Sequence, residues 1–243
     1  MLARLDNPVL LTKAVEIISE LVTEVRIKIN EFGLSITAID PANVAMVSFK
    51  LPKSAFSEFN ITEKEEILGV NLDNLKQILK RCGSSGSLLL ERRDNLLSIV
   101  IQDRIRRNFT LNLIEIESED KEFPSLPFSS SVELTSSDLI DSIEDCSVVA
   151  DACSFIIDDG KFVIYARGLN SARAEFSGDE AIITGEECKS RYSLEYLQKF
   201  LKGSKISEKT KLQFANDHPL RFDIKPQNME LSFILAPRVE TED

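Results

Sequence analysis

Residue types able to carry acid–base, nucleophilic or metal chemistry are few and scattered in this chain. Its one histidine, His218, stands beside Pro219 between two strand-like runs, the place of a polar turn residue. Zinc sites need three or four His, Cys or carboxylate ligands at characteristic spacings. The four cysteines, Cys82, Cys146, Cys153 and Cys188, show no CxxC spacing and have only that histidine to join them. They read as reduced structural thiols of an intracellular protein. The carboxylate pairs Asp158-Asp159 and Glu186-Glu187 fall in exposed turns rather than in a cleft where one member could hold a proton. Neither GxxxxGK[ST] nor GxGxxG occurs, so the sequence offers no phosphate-cradling loop. The expectation is a protein with no catalytic residues, no metal and no cofactor, and not an enzyme.

Composition narrows the class further. With 43% hydrophobic residues, 14 Phe and no low-complexity tract, the 243 residues suit folded cores in one large or two small domains. The 29 Lys+Arg against 40 Asp+Glu give a net charge of −11, which argues against bulk attraction to nucleic acid, since each phosphate contact needs a cation. No apolar run approaches the roughly 18–20 residues of a membrane span. Arg4, Asp6 and Asn7 stand where a signal peptide needs apolar residues. A membrane partner is not expected.

The most informative pattern is a repeat. Leu72-Asp73-Asn74-Leu75-Lys76-Gln77-Ile78-Leu79-Lys80 returns 122 residues later as Leu194-Glu195-Tyr196-Leu197-Gln198-Lys199-Phe200-Leu201-Lys202. Each copy places apolar residues at i, i+3 and i+7 of a short helix, with Asn71 and Ser193 at the N-cap positions. An earlier helix opens at Asn7-Pro8 with Leu11, Ala14, Val15, Ile18 and Val22 on one face. Its counterpart opens at Ser136-Ser137 with Leu139, Ile140 and Ile143. After each helix, hairpin turns fall at Glu31-Phe32-Gly33 and Asp159-Gly160. Alternating strands include Val25, Ile27 and Ile29, then Phe109, Leu111 and Leu113, and later Leu220, Phe222 and Ile224.

Each half therefore reads as strand, helix, several strands, helix, then three strands, an α+β unit with antiparallel sheets and two helices on one face. Between the halves, Glu115, Glu117, Glu119, Asp120 and Glu122 face only Lys121, and Pro124 and Pro127 follow. An acidic, Pro-bearing stretch without period is a linker. The expected organisation is a first domain over 1–114, a connector over 115–127 and a second domain over 128–243.

These residues resemble a known family. Glu31-Phe32-Gly33-Leu34 leading to Ala38-Ile39-Asp40-Pro41-Ala42-Asn43-Val44, the repeat helix Leu75 to Lys80, the connector, and the ending Leu235-Ala236-Pro237-Arg238-Val239-Glu240 are similar to DNA sliding clamps of the proliferating cell nuclear antigen type, in their archaeal form. The resemblance runs from the first strand to the C-terminus. It implies a trimeric ring of six such domains, helices lining the hole and sheets outside, that encircles double-stranded DNA regardless of sequence. It implies a clamp loader that opens the ring, and DNA polymerase, flap endonuclease and ligase tethered through short peptide motifs. It implies no active site, and a cytoplasmic, nucleoid-associated location, or a nuclear one in a eukaryote.

Carried over position by position, the partner-peptide pocket falls on Ile39, Val44, Phe123, Pro124, Pro219, Ile234 and Ala236. The DNA-facing set is Lys13, Lys80 and Lys202, with Lys76, Arg81, Lys199 and Lys205 close by; Gln77 and Glu20 stand where relatives often carry Lys. The third helix departs from the family: its charges are Asp138, Asp141, Glu144 and Asp145, with no Lys or Arg. Those acids are assigned to a head-to-tail seam against the basic edge Arg81, Arg104, Arg106 and Arg107 of the next subunit. Phe109, Arg173 and Glu175 lie on the strands that would meet there, roughly 107–115 and 171–181. Homotrimer and heterotrimer with paralogous subunits both fit. The alternative reading is a clamp-fold scaffold or checkpoint-type subunit that docks other proteins without acting as a processivity factor.

Overall fold

Period-two alternation along most of the chain becomes strands with one buried face. The computed structural model describes residues 1–83, 86–117 and 121–239. Connector residues Glu119 and Asp120, and the tail residues Glu240, Glu242 and Asp243, lie outside the described residues. In chain order the elements are β1 (Leu2–Leu5), α1 (Val9–Ile18), β2 (Glu24–Asn30), β3 (Gly33–Ile39), β4 (Ala45–Pro52), a 3-10 turn (Lys53–Ala55), β5 (Glu58–Asn60), β6 (Glu65–Asn71), α2 (Leu72–Leu79), β7 (Ser87–Arg93), β8 (Leu96–Gln102) and β9 (Arg106–Asn112). The second series is β10 (Ser130–Thr135), α3 (Ser136–Val149), β11 (Ala152–Asp158), β12 (Lys161–Arg167), β13 (Ser171–Phe176), β14 (Ala181–Gly185), β15 (Cys188–Ser193), α4 (Leu194–Ser204), β16 (Lys209–Phe214), β17 (Leu220–Ile224) and β18 (Glu230–Leu235).

The duplication is complete at the level of topology. Strands of the first series lie in the orders β5-β1-β7-β8-β9 and β4-β3-β2-β6; those of the second lie in the orders β14-β10-β16-β17-β18 and β13-β12-β11-β15. Adding nine to every strand number converts one arrangement into the other. The chain divides into two compact units, one of Met1–Pro41, Val47–Phe123 and Gln227–Glu230, the other of Ala42–Met46, Pro124–Pro226 and Leu231–Asp243.

Within the first unit α1 packs on α2, and within the second α3 packs on α4. The apolar face of α1 buries Leu11, Ala14, Val15, Ile17 and Ile18; Val22 is buried just beyond its end. In α3 the buried stripe runs through Leu139, Ser142, Ile143 and Cys146, so Ile140, expected inside, is only half-buried. The two cores differ in chemistry. The first is built from Leu, Ile and Val around the single fully buried ring of Phe49. The second is aromatic: Phe200 stacks on Phe233 with centroids 4.3 Å apart, and Phe155 meets Phe162, Tyr192 and Phe214 edge-on.

Capping chemistry follows the expectation at two helices and not at the others. The Asn71 side chain accepts the Asn74 N–H at 3.1 Å. Asn7 accepts the Val9 N–H at 3.2 Å, one residue earlier than expected, because Pro8 occupies the cap position. Ser193 makes no cap bond; it closes β15 opposite Ala152 and is buried there. Ser136 lies inside α3, and its hydroxyl is spent on Thr210 Oγ1 at 2.9 Å.

Turns are set by left-handed residues. Asp159 (φ 46°) and Gly160 (φ 70°) join β11 to β12 as a two-residue hairpin of the primed type. Gly69 is required for a different reason. The chain leaving β9 turns back over the outer edge of β6, where the Ile114 N–H donates to the Gly69 carbonyl at 2.9 Å. A Cβ on residue 69 would collide with the Ile114 carbonyl oxygen. Gly69→Ala is therefore expected to break this closure and to cost about 2 kcal/mol from one lost hydrogen bond and local overpacking. Hydrogen exchange at the Ile114 amide should accelerate before any change at β2, and unchanged protection of Ile114 would contradict the assignment.

Candidate functional site

The cations on the helices are the first group to place. Lys13 and Lys80 are half-exposed, at 50% and 54%, and both reach Glu16, at 3.0 and 3.4 Å. Lys76 is only 22% exposed, with its ammonium on Asp73 at 2.9 Å and on Ser19 Oγ at 3.0 Å. It therefore ties α2 to α1 more than it faces solvent. Lys199 is 27% exposed, paired with Glu195 at 2.9 Å and set over the Tyr196 ring at 4.9 Å. Arg81, Lys202 and Lys205 are exposed. The most open cations of the expected DNA-facing set are thus Lys13, Lys80, Arg81, Lys202 and Lys205, and the helix pairs behind them are fastened by polar side chains. In the second unit that fastening is Gln198 Nε2 donating to Ser147 Oγ at 3.0 Å.

Sequence reasoning missed Glu16. The Lys13 ammonium hydrogen-bonded to it, helped by Lys80, holds its carboxyl below the ordinary 4.5 despite some burial. Its spacing of three from Lys13 on a helix was the available signal.

The expected pocket residues divide between the units. Ile39 and Phe123 belong to the first; Val44, Pro124, Pro219, Ile234 and Ala236 belong to the second. In the first unit Ile39 borders a hollow of about 290 Å³ that also touches Arg26, Lys28, Thr37 and Ile116. In the second, the Ala236 N–H donates to the Val44 carbonyl at 2.9 Å, which brings the C-terminal segment onto the 42–46 loop. The segment continues to Arg238, whose N–H donates to the Arg191 carbonyl at 2.7 Å and whose guanidinium meets Asp151 at 2.7 Å. Pro219 follows a turn with Asp217 at φ 46°. Phe128, the first residue after the expected connector, lies edge-on to His218 with centroids 5.7 Å apart.

The expected seam residues are also on the page. Asp138, Asp141, Glu144 and Asp145 are all exposed along α3. Beside them a groove of about 380 Å³ is lined by Asp145, Val148, Val149, Ala172, Arg173 and Ala174. Val148 is 85% exposed, an apolar side chain that periodicity alone did not single out. Arg104 and Arg106 are exposed and Arg107 is half-buried, paired with Asp103 of its own chain. Phe109 is half-buried on β9. Glu175 is shared by Lys161 at 2.6 Å and Arg173 at 2.9 Å, which lowers its carboxyl below the usual range. Arg107, Arg173 and Glu175 thus have partners within the chain.

The thiols are set as packing groups. Burial pushes Cys146 up to about 11, with Asp145 adding to it, and pushes Cys153 well above the ordinary 9.0. No group of three or more His, Cys, Asp or Glu side chains among the described residues is arranged to hold a metal ion. No described helix is long and apolar enough to cross a membrane.

The chain is thus an internally duplicated α+β protein whose paired helices carry exposed cations and whose third helix carries exposed acids. Residues 1–122 match the family described as Proliferating cell nuclear antigen, N-terminal domain. The DNA polymerase sliding clamp of Thermococcus onnurineus is 35% identical over 229 residues, covering 91% of this chain and 92% of that one. DNA polymerase sliding clamp 1 of Thermococcus kodakarensis is 36% identical over 229 residues with the same coverage. The crystal structure of the antigen from Entamoeba histolytica superposes with a TM-score of 0.91 at 23% identity, over 98% of both chains. That of the PCNA2–PCNA3 complex from Sulfolobus tokodaii gives 0.89 at 26%, over 99% of this chain and 100% of the other. The chain belongs to the proliferating cell nuclear antigen family of DNA polymerase sliding clamps.

The Glu16 bridge has a pH signature. Its carboxyl titrates lower in the folded chain than in the unfolded one, so its contribution is present above the ordinary 4.5 and is lost as pH falls through the lowered value. Glu16→Gln should flatten the acid limb of a Tm-against-pH curve by lowering Tm at neutral pH, while leaving Tm little changed below that window. An identical acid limb in the variant would contradict the bridge.

Proposed function

We propose that the chain is one subunit of a trimeric ring that encircles double-stranded DNA, irrespective of sequence, as a processivity factor. The observation that carries this reading is the 33–36% identity, across nine-tenths of both chains, to proteins named DNA polymerase sliding clamps. Physical features support it. In each unit the last strand of one sheet and an outer strand of the other end without a neighbour from the same unit. β9 is such an outer strand in the first unit and β13 in the second. A head-to-tail contact that pairs β9 of one subunit with β13 of the next uses two different surfaces and closes into a ring.

The seam would combine both chemistries on those strands. Phe109 would enter the groove beside Val148 and Ala174, while Arg81, Arg104 and Arg106 would face Asp138, Asp141 and Asp145. Exposed ion pairs contribute only about 0–1 kcal/mol each and are screened by salt, so the ring is expected to loosen as ionic strength rises. Arg107, already held by Asp103, would serve by ordering the β9 edge.

In the ring the exposed cations Lys13, Lys80, Arg81, Lys202 and Lys205 would line the DNA passage, with Lys76 and Lys199 behind them. Loose phosphate contact suits a protein that slides, since each firm contact adds to salt-dependent affinity. The domain reading stays as 1–114, 115–127 and 128–243. Ile39, Val44, Phe123, Pro124, Pro219, Ile234 and Ala236 would receive short peptides of DNA polymerase, flap endonuclease and ligase, and a clamp loader would open the ring. The chain would act without catalysis, cofactor or metal, in the cytoplasm at the nucleoid. A heterotrimer is favoured as the second assembly by one observation, the likeness to the PCNA2–PCNA3 complex.

Three measurements test this. Native mass of the chain alone should be three times 27.3 kDa; a monomer that reaches that mass only with paralogous subunits would select the heterotrimer. Asp141→Ala with Asp145→Ala should lower the salt concentration at which the assembly dissociates, and an unchanged salt midpoint would count against the ionic seam. After loading, the ring should stay on closed circular DNA and slide off linear DNA; equal loss from both would rule out encirclement.

A further inference from the structure

Two walls of the proposed peptide site in the second unit, the Pro219 turn and the Ala236–Arg238 segment, are held by the same strand. The outer edge of β15 carries alternate carbonyls that accept from each of them: Lys189 O from the Asp217 N–H at 3.0 Å, and Arg191 O from the Arg238 N–H at 2.7 Å. The Lys189 N–H in turn donates to Asn216 Oδ1 at 2.8 Å. Two hydroxyls from the same strand complete the attachment. Tyr192 Oη donates to the His218 carbonyl at 2.8 Å and Ser190 Oγ donates to the same oxygen at 3.1 Å.

That carbonyl immediately precedes Pro219 and follows Asp217, whose φ of 46° is a conformation non-glycine residues seldom adopt. Both lone pairs of the His218 oxygen are therefore used to fix the backbone next to a residue in an unusual conformation. Tyr192 is fully buried and its ring is set edge-on against Phe155 at 5.3 Å, so its hydroxyl has a fixed position; Ser190 is only 1% exposed. Each hydroxyl acts through the His218 carbonyl.

We propose that Tyr192 and Ser190 are positioning residues of the partner-peptide site: their hydroxyls, from β15, set the backbone that presents Pro219 in register with the C-terminal segment that the same strand holds. The inference rests on the peptide-docking reading above. It assigns affinity to two buried hydroxyls that no peptide would contact.

The test uses the full chain in its assembled form and a short fluorescein-labelled synthetic peptide carrying a few large apolar anchors. Tyr192→Phe and the double variant Tyr192→Phe with Ser190→Ala keep the ring packing and remove one and both donors. Thr210→Val is the matched control. It breaks another buried hydroxyl cluster, Ser136–Thr210–Ser204, at the opposite end of β16 from the Asn216–Pro219 turn. The double variant should bind the peptide about fivefold more weakly, the equivalent of about one hydrogen bond, and Tyr192→Phe by a smaller factor. Thr210→Val should lower Tm comparably and leave peptide affinity unchanged. Unchanged affinity in the double variant, or an equal loss in Thr210→Val, would overturn the positioning role while leaving the docking reading intact. Absence of binding by the unsubstituted chain would overturn both.

Discussion

An antiparallel sheet that stops leaves a row of backbone N–H and C=O groups on its last strand, and these must find partners or invite unwanted pairing. Much of this chain is organised by how that demand is met. At β6 the chain leaving β9 returns to satisfy the Gly69 carbonyl. At the repeat counterpart, β15, the chain leaving β18 returns to satisfy Arg191, and the turn after β16 satisfies Lys189. The same physical need produces the start of the connector in one unit and the anchored C-terminal segment in the other. Among the described residues the outer edges of β9 and β13 have no such cover from their own units, and those are the strands on which the proposed assembly depends.

Charge follows a similar division between structure and function. The net −11 of the chain says little about where cations sit. Those on the paired helices are used in different ways: Lys76 is largely covered and ties α2 to α1, Lys199 is held by Glu195 and Tyr196 of its own helix, and Lys13 and Lys80 share Glu16 and remain half-open. A surface of shared cations offers attraction without tight retention, as a moving ring would need.

Much of the fold was legible because duplication doubles every signal. The Leu72 and Leu194 motifs, the paired turn signals and the alternating runs place strand, helix and strand groups in the observed order. Details that depend on tertiary partners were not legible. Ser193 stands at the cap position of α4 as its sequence place indicates, yet its side chain makes no cap bond and the residue also closes the β11–β15 ladder. Ile140 reads as core, yet Cys146 and Ser142 take that face of α3. For the candidate site, cations and apolar residues could be named from the sequence, but their pairing could not. Glu16 between two lysines, Asp103 on Arg107 and Glu175 between Lys161 and Arg173 all depend on side-chain reach across elements. The hydroxyls on the His218 carbonyl left no sequence signal, because Tyr and Ser at alternate strand positions are ordinary.

The contrast between an aliphatic first core and an aromatic second core makes the two halves distinguishable by light. All three tyrosines, Tyr165, Tyr192 and Tyr196, fall in the second half, and the chain has no tryptophan. Ultraviolet emission therefore reports on one half only, and near-ultraviolet dichroism is weighted toward the same half by its stacked phenylalanines. Alike in chain path, the repeats are spectroscopically unequal, and the melting of one can be followed without a label while the other stays dark.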